Sequence, residues 1–228
     1  MNPKQAAAEH GADLVKSGMV LGLGSGSTSA LMVQAVGRKL REGTLRDVIG
    51  VPSSSGIAAV ARESGVPLAT LEDHPTLDLN LDGADEVDPN LDLVKGLGGA
   101  LLWEKIVATA SRRVVILVDE TKLVPRLGAK APLPVEVVPF GWKSHLAFVE
   151  SLGGKPTLRT EINGRPFVTD EGNYILHCRF EGGIANPVEL EARLLGRAGI
   201  VGTGLFLGVA DRVIVGRADG VEVLTRTG

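Results

Sequence analysis

The sequence predicts an α/β fold, a mainly parallel sheet flanked by helices, joined to a smaller α+β second domain. Three observations carry this. Short apolar runs alternate with stretches of helical spacing as far as Asp119. Glycine-rich turns stand at two of the strand-to-helix junctions, Gly22–Thr28 and Gly96–Gly99. Near Pro125 the texture changes, with Pro125, Pro132, Pro134 and Pro139 close together before shorter elements resume.

The elements follow in order. Residues 4–17 form a first helix, with Ala6, Ala7 and Ala8 as strong formers and Gly18 as a stop. Met19 to Leu23 is a strand entering the first glycine turn. A helix follows from about Ser29 to Leu40, with Leu31, Met32, Ala35, Val36 and Leu40 on one face. Val48 to Val51 is a strand, and Ser53, Ser54 and Ser55 offer caps for a helix ending near Gly65. Pro67 to Leu71 reads as a short strand, and Leu77 to Leu81 as another running into Asp82. A helix spans about Ala100 to Ala110, and Arg113 to Val118 is an apolar strand ending at Asp119.

The proline cluster marks a connection or an edge strand. Beyond it come a strand (Val135–Val138), a helix (Trp142–Ser151), a strand (Pro156–Thr160), a hairpin-like pair around 170–173, a helix (Pro187–Leu195) and a strand from Ile200. That order suits an antiparallel α+β unit. Val213–Val215 and Val221–Leu224 read as a final hairpin returning to the first sheet. The expected domains are 1–128 with 204–228, the α/β one, and 129–203, the small α+β one.

Composition narrows the function. A net charge of −3 and 4% aromatic residues do not suggest the basic face and stacking rings of a nucleic-acid binder. No apolar stretch is long enough to span a bilayer, and the N-terminus has no secretory h-region. The single cysteine, Cys178, precludes an internal disulfide and fits a reducing cytoplasm. His10, His74, His145 and His177 have no metal-ligand spacing, so no metal and no zinc site is expected. His177 and Cys178 adjoin in a strand and point to opposite faces, which counts against a dyad.

Three constellations remain. Gly22-Leu23-Gly24-Ser25-Gly26-Ser27-Thr28 aims N–H groups and hydroxyls at one spot beside a positive helix end, which suits a phosphate. It is neither a dinucleotide fingerprint nor a Walker loop. Its plain alternative is a tight turn with Ser27 or Thr28 as N-cap. Asp82-Gly83-Ala84-Asp85-Glu86 begins at the carboxyl end of a strand, where α/β ligands sit. A solvated turn or a divalent-metal pair is the alternative. Lys95-Gly96-Leu97-Gly98-Gly99-Ala100 leaves backbone bare beside a lysine, and Glu104 falls in the first turn of the next helix. Charge–dipole placement alone could explain Glu104, and surface charge could explain Lys95 and Lys122.

Taken together, in order, these runs resemble the A-type ribose-5-phosphate isomerase family. Pro132-Leu133-Pro134-Val135-Glu136-Val137 and Gly204-Leu205-Phe206 extend the resemblance over essentially the whole chain. It implies a fold related to the CoA-transferases and sugar-phosphate isomerases, with a ferredoxin-like second domain. It implies an aldose–ketose isomerase of the non-oxidative pentose phosphate pathway, acting on a pentose phosphate without cofactor. A cytoplasmic homodimer or dimer of dimers is implied too, with no nucleic-acid or membrane partner. Carried over residue by residue, it places the general base at Glu104 and further catalytic groups at Asp82, Asp85 and Lys95. It places substrate contacts at Ser25, Gly26, Ser27, Thr28, Gly83, Ala84, Gly96, Leu97, Gly98, Lys122 and Lys4. Two departures from the family's pattern stand out. Ser25 replaces a common threonine and keeps the hydroxyl, and Leu97 interrupts a glycine run, which points to its N–H rather than its side chain. A CoA-transferase, a non-catalytic sugar-phosphate sensor, a phosphosugar lactonase and an aminosugar-phosphate deaminase are the competing readings.

Overall fold

The computed structural model describes residues 2–226; residues 1, 227 and 228, the outermost positions of the expected first domain, lie outside the described residues. Along the chain run α1 (Pro3–Ala12), β1 (Val20–Leu23), α2 (Ser27–Arg41), β2 (Ile49–Pro52), α3 (Ser55–Ser64) and β3 (Leu79–Asp82). Then come β4 (Glu86–Val87), β5 (Leu93–Val94), α4 (Leu101–Thr109), β6 (Val114–Asp119), a one-turn 3-10 helix (Glu120–Lys122), β7 (Leu133–Val137) and α5 (Ser144–Ser151). The remainder is β8 (Gly154–Leu158), β9 (Tyr174–Phe180), α6 (Pro187–Leu195), β10 (Ile200–Thr203), β11 (Leu205–Phe206), β12 (Arg212–Arg217) and β13 (Gly220–Thr225). Two compact units result: 1–84 with 103–122 and 208–228, and 85–102 with 123–207. Among the described residues no helix is long and apolar enough to cross a membrane.

The first unit is built on a six-stranded sheet in the order β13-β12-β6-β3-β1-β2. Every pairing is parallel except β12 with β13, the hairpin that the tail sequence predicts. All six residues of β6 are buried, as befits a strand covered on both faces. Leu21, Leu23, Met32, Val36, Leu79, Leu81 and Leu117 form the centre of its core.

Helix α1 starts on an Asn2 cap with Pro3 in its first turn and ends at Ala12, short of the expected residue 17. It lies too close to the sheet for large side chains. Ala7, Ala8 and Ala12 are fully buried, and a Cβ on Gly11 would come within 2.7 Å of Leu117. The expected strand Pro67–Leu71 is only a single bridge from Leu68 to Gly50, beyond the sheet's outer strand β2. Pro67 can accept there, from Gly50 N–H, but has no N–H to continue a ladder.

In the second unit β7, α5, β8, β9, α6 and β10 follow in β-α-β-β-α-β order, and the antiparallel sheet runs β10-β7-β9-β8. This is the ferredoxin-like arrangement. Leu133, Val135, Val137, Val149, Leu176, Cys178, Leu190 and Leu194 fill its core. A three-stranded sheet, β11-β5-β4, belongs to the same unit and has no counterpart in the periodicity analysis, its strands being two residues each.

Pro125 and Pro132 do lie in an irregular connection before β7, and Pro139 just past it, but Pro134 is no edge residue: it lies in β7, between β10 and β9. The reason is local. Pro134 C=O accepts from Gly204 N–H at 2.8 Å, so its missing N–H faces the same side, just past the end of β10. There the bare Cα of Gly204 packs on the ring, and a Cβ would come within 2.7 Å of Pro134 Cδ. The ladder to β9 on the other side is undisturbed.

Candidate active site

In the first unit the carboxyl ends of β1 and β3 are tied by backbone: Gly24 N–H donates to Leu81 C=O at 3.0 Å. Asp82, the last residue of β3, is buried at 1% exposure. Its Oδ1 accepts from Gly83 N–H at 2.7 Å, Ser25 N–H at 3.0 Å and Ser29 Oγ at 3.4 Å. The carboxylate is thus gripped by the very turn that starts α2. Only glycine fits at 24, because a Cβ there would lie 2.1 Å from Asp82 Oδ1 and 2.4 Å from its Cα.

That turn ends on Gly26 at φ +94°, outside the helix proper. No side chain caps α2, so neither Ser27 nor Thr28 plays that part; the helix begins on Ser27 itself. The first backbone bond is Ala30 N–H to Gly26 C=O at 2.9 Å, which leaves the N–H groups of Ser27 and Thr28 directed off the positive end. Lys4 Nζ donates to Ser27 Oγ at 3.3 Å, adding a cation. Ser25 Oγ lies 2.9 Å from Ser53 Oγ and donates to Ser54 Oγ at 2.8 Å. This is a dense donor cradle of the kind that holds a phosphate.

The sequence expectation does not include Ser29 or Ser53 among the site residues. Ser53–Ser55 reads there as capping chemistry, and Ser54 does cap α3, accepting from Ile57 N–H at 3.1 Å. The available signal was the run of serines directly after a strand, on the same sheet edge as the glycine turn.

Glu104 lies in the first turn of α4 and is buried at 5% exposure. One turn further on, Val107 packs on β1, where a Cβ on Gly22 would come within 2.6 Å of Val107 Cγ1. Residues three apart share a helix face, and α4 precedes β6, parallel to β1 through β3. Glu104 therefore stands on the α4 face that covers Gly22, displaced toward the end of β1 that carries Gly24 and Ser25. Lys122 is half-buried in the turn after β6, next to a Thr121 that donates through N–H and Oγ1 to the buried Asp119.

The remaining expected residues belong to the second unit. Asp85 N–H donates to Val94 C=O at 2.8 Å, and Asp85 Oδ2 accepts from Leu97 N–H at 2.9 Å. The Leu97 N–H is thus committed to a carboxylate within its own unit. Lys95 is buried at 3% exposure, its Nζ 5.5 Å from the centre of the Phe206 ring. Gly98 is exposed, with open space where a side chain would stand. Asp82 and Ala84 close the first unit's share of the acidic run, and Asp85 opens the second's.

Elsewhere, Cys178 is fully buried and burial pushes its thiol up to about 12, while His177 occupies the other face of β9. Among the described residues no three His, Cys, Asp or Glu side chains gather as a metal cluster.

A mainly parallel sheet with an uncapped helix start and the buried carboxylates of Asp82 and Glu104 toward its carboxyl edge, in a chain that also holds a ferredoxin-like unit, has the make-up of an α/β enzyme. The family model for ribose 5-phosphate isomerase A (phosphoriboisomerase A) matches residues 49–220. Ribose-5-phosphate isomerase A of Roseiflexus castenholzii is 50% identical over 97% of this chain and 94% of the relative, and that of Chloroflexus aurantiacus is 50% identical over 97% and 92%. A D-ribose-5-phosphate isomerase solved in complex with phospho-erythronic acid aligns with TM-score 0.96 at 40% identity, covering 99% of this chain and 100% of that one. The enzyme of Methanocaldococcus jannaschii aligns with TM-score 0.93 at 38% identity, covering 98% of each chain. The chain belongs to the ribose 5-phosphate isomerase A family.

Proposed function

We propose that this chain interconverts D-ribose 5-phosphate and D-ribulose 5-phosphate, a step of the pentose phosphate pathway, through an enediolate. Glu104 removes the proton from C2 and delivers it to C1, so one carboxylate serves both carbons. Lys95 and the N–H groups of the nearby glycines, Gly96 and Gly98, stabilise the negative charge that develops on O1 and O2. Such preorganised donors are worth roughly 3 kcal/mol of barrier each. Asp82 moves a proton between the ring oxygen and O1 as the furanose opens. Asp85, held by Leu97, orients a hydroxyl or Lys95. Ser25, Gly26, Ser27 and Thr28, with Lys4 and Lys122, anchor the phosphate, whose binding energy positions the reacting carbons. Gly83 and Ala84, small and next to Asp82, leave room for the sugar.

The observation that carries this reading is Glu104 itself: a carboxylate buried at 5% exposure in the first turn of α4, on the face that covers β1 beneath the glycine-serine turn. Neither a metal nor an organic cofactor enters the scheme. Chelator-treated protein is therefore expected to form ketose from ribose 5-phosphate and, in heavy water, to place deuterium on C1. Glu104→Gln should abolish turnover and leave sugar-phosphate binding nearly intact; near-normal turnover in that variant would refute the assignment. We further assign the enzyme to the cytoplasm, as a homodimer or dimer of dimers; light scattering on the purified protein tests the assembly.

A further inference from the structure

The loop that carries Lys95 consists largely of bare backbone. Gly96 and Gly99 adopt φ of +95° and +98°, and Gly99 N–H closes the turn onto Gly96 C=O at 2.9 Å. The start of the loop is tied by Lys95 N–H to Gly204 C=O at 2.9 Å, and its middle by Leu97 N–H to Asp85 Oδ2 at 2.9 Å. Its far end rests on side chains instead. A Cβ on Gly99 would lie 2.5 Å from two ring carbons of Phe167 and 2.7 Å from Arg159 Nη1.

Those two side chains form one object. The Arg159 guanidinium lies 3.6 Å from the centre of the Phe167 ring, and Phe167 N–H donates to Arg159 C=O at 3.0 Å. Arg159 Nη1 is buried and has no hydrogen-bond partner among the described residues. A guanidinium gains little stability from being held this way, since burial without an acceptor is unfavourable and stacking on a ring offsets only part of that. The segment behind Phe167 is pinned in turn: Thr169 Oγ1 and Asn173 Nδ2 donate to Glu136 Oε1 of β7 at 2.9 and 3.0 Å.

We propose that the Arg159–Phe167 stack is a positioning platform for the 95–99 loop, fixing from behind the height at which Lys95 and the bare N–H groups meet the reacting oxygens. The proposal rests on the role given to Lys95 above. A flat, rigid surface is what a turn with bare backbone at Gly96, Gly98 and Gly99 requires. Loss of that surface lets the loop settle inward, and a misplacement of about 1 Å at a catalytic group can cost on the order of a hundredfold in rate.

The test uses the full-length enzyme with Phe167→Leu, Arg159→Lys, their double variant, Lys95→Ala, and Ile162→Ala as a control on an exposed residue of the same segment. Turnover, KM for ribose 5-phosphate and melting temperature are measured for each. Lysine keeps the charge of Arg159 but cannot lie flat on a ring. Each platform variant is expected to lose roughly tenfold in kcat with KM within about twofold. The double variant should lose no more than the worse single one, because the pair acts as a unit. Ile162→Ala should match the parent.

Wild-type kcat in folded Phe167→Leu and Arg159→Lys would overturn the proposal. So would a loss confined to KM, or one that merely follows melting temperature. Should Phe167→Leu fail to fold, Arg159→Lys decides alone. An active Lys95→Ala would instead remove the role given to Lys95, whereas an inactive Lys95→Ala beside fully active platform variants would remove only the platform.

Discussion

Gly24 and Asp82 are mutually exclusive with any side chain at position 24: a Cβ there would fall 2.1 Å from Asp82 Oδ1. The same close approach lets Ser25 N–H reach that oxygen at 3.0 Å, so the turn and the carboxylate hold each other in place.

Gly24→Ala should therefore damage the site more than the fold. The strand ends must part or the Asp82 carboxylate must swing away, since the clash includes the Asp82 Cα at 2.4 Å. A drop of roughly a hundredfold in kcat/KM is expected, with circular dichroism close to that of the parent. Unchanged kcat/KM would show that Asp82 does not need this grip.

Lys4 reaches Ser27 Oγ from α1 at 3.3 Å. Lys4→Ala should raise KM for ribose 5-phosphate by roughly tenfold or more, the size of one lost charge-assisted bond. Turnover at saturation should change much less. Steady-state kinetics decide the point, and unphosphorylated ribose should be a very poor substrate for both proteins.

Glu86 is fully buried in β4, and its carboxylate accepts from the N–H groups of Gly128, Lys130 and Ala131. This one side chain takes the N–H groups of three residues in a loop without secondary structure. Glu86→Ala leaves three N–H groups without their acceptor and should cost about 3 kcal/mol or more, read by urea denaturation. A cost under about 1 kcal/mol, the size of an ordinary single hydrogen bond, would mean that the loop finds water instead.

Glu136 is buried in β7, and desolvation raises its pKa above the ordinary glutamate value. The hydrogen bonds from Asn173 and Thr169 oppose that rise, and the neighbouring charge of Glu171 adds to it. A folded pKa above the unfolded one means that this group's stability contribution is full below the unfolded pKa and is lost as pH rises through the folded one. Glu136→Gln, which keeps an acceptor for Thr169 and Asn173, should therefore match the parent near about pH 4. It should melt at higher temperature than the parent near neutral pH. A melting-temperature difference that does not grow with pH would count against the buried-charge account.

Much of this protein was legible before any tertiary structure. The alternation of β1, α2, β2, α3, β3, α4 and β6 follows from local periodicity and from the punctuation of Gly65, Ser54 and Asp119. Helix α6 begins and ends where Pro187 and Leu195 predict, and the closing hairpin joins the first sheet as its apolar spacing requires. The glycine turns announced themselves because a backbone at φ near +95° has few other residues available to it.

What local pattern could not supply was partnership across distance. That Pro134 sits inside a sheet depends on Gly204, seventy positions away, lying bare against its ring. The grip of Ser29 on Asp82 and the stack of Phe167 on Arg159 join residues whose neighbours in sequence give no hint of the meeting, and the run of serines after β2 hints only at the sheet edge on which Ser53 touches Ser25. Residue type and spacing specify backbone conformation because torsional preference and hydrophobic period act over a few residues. Which side chains then satisfy one another is decided only when the sheets bring distant segments within hydrogen-bond reach.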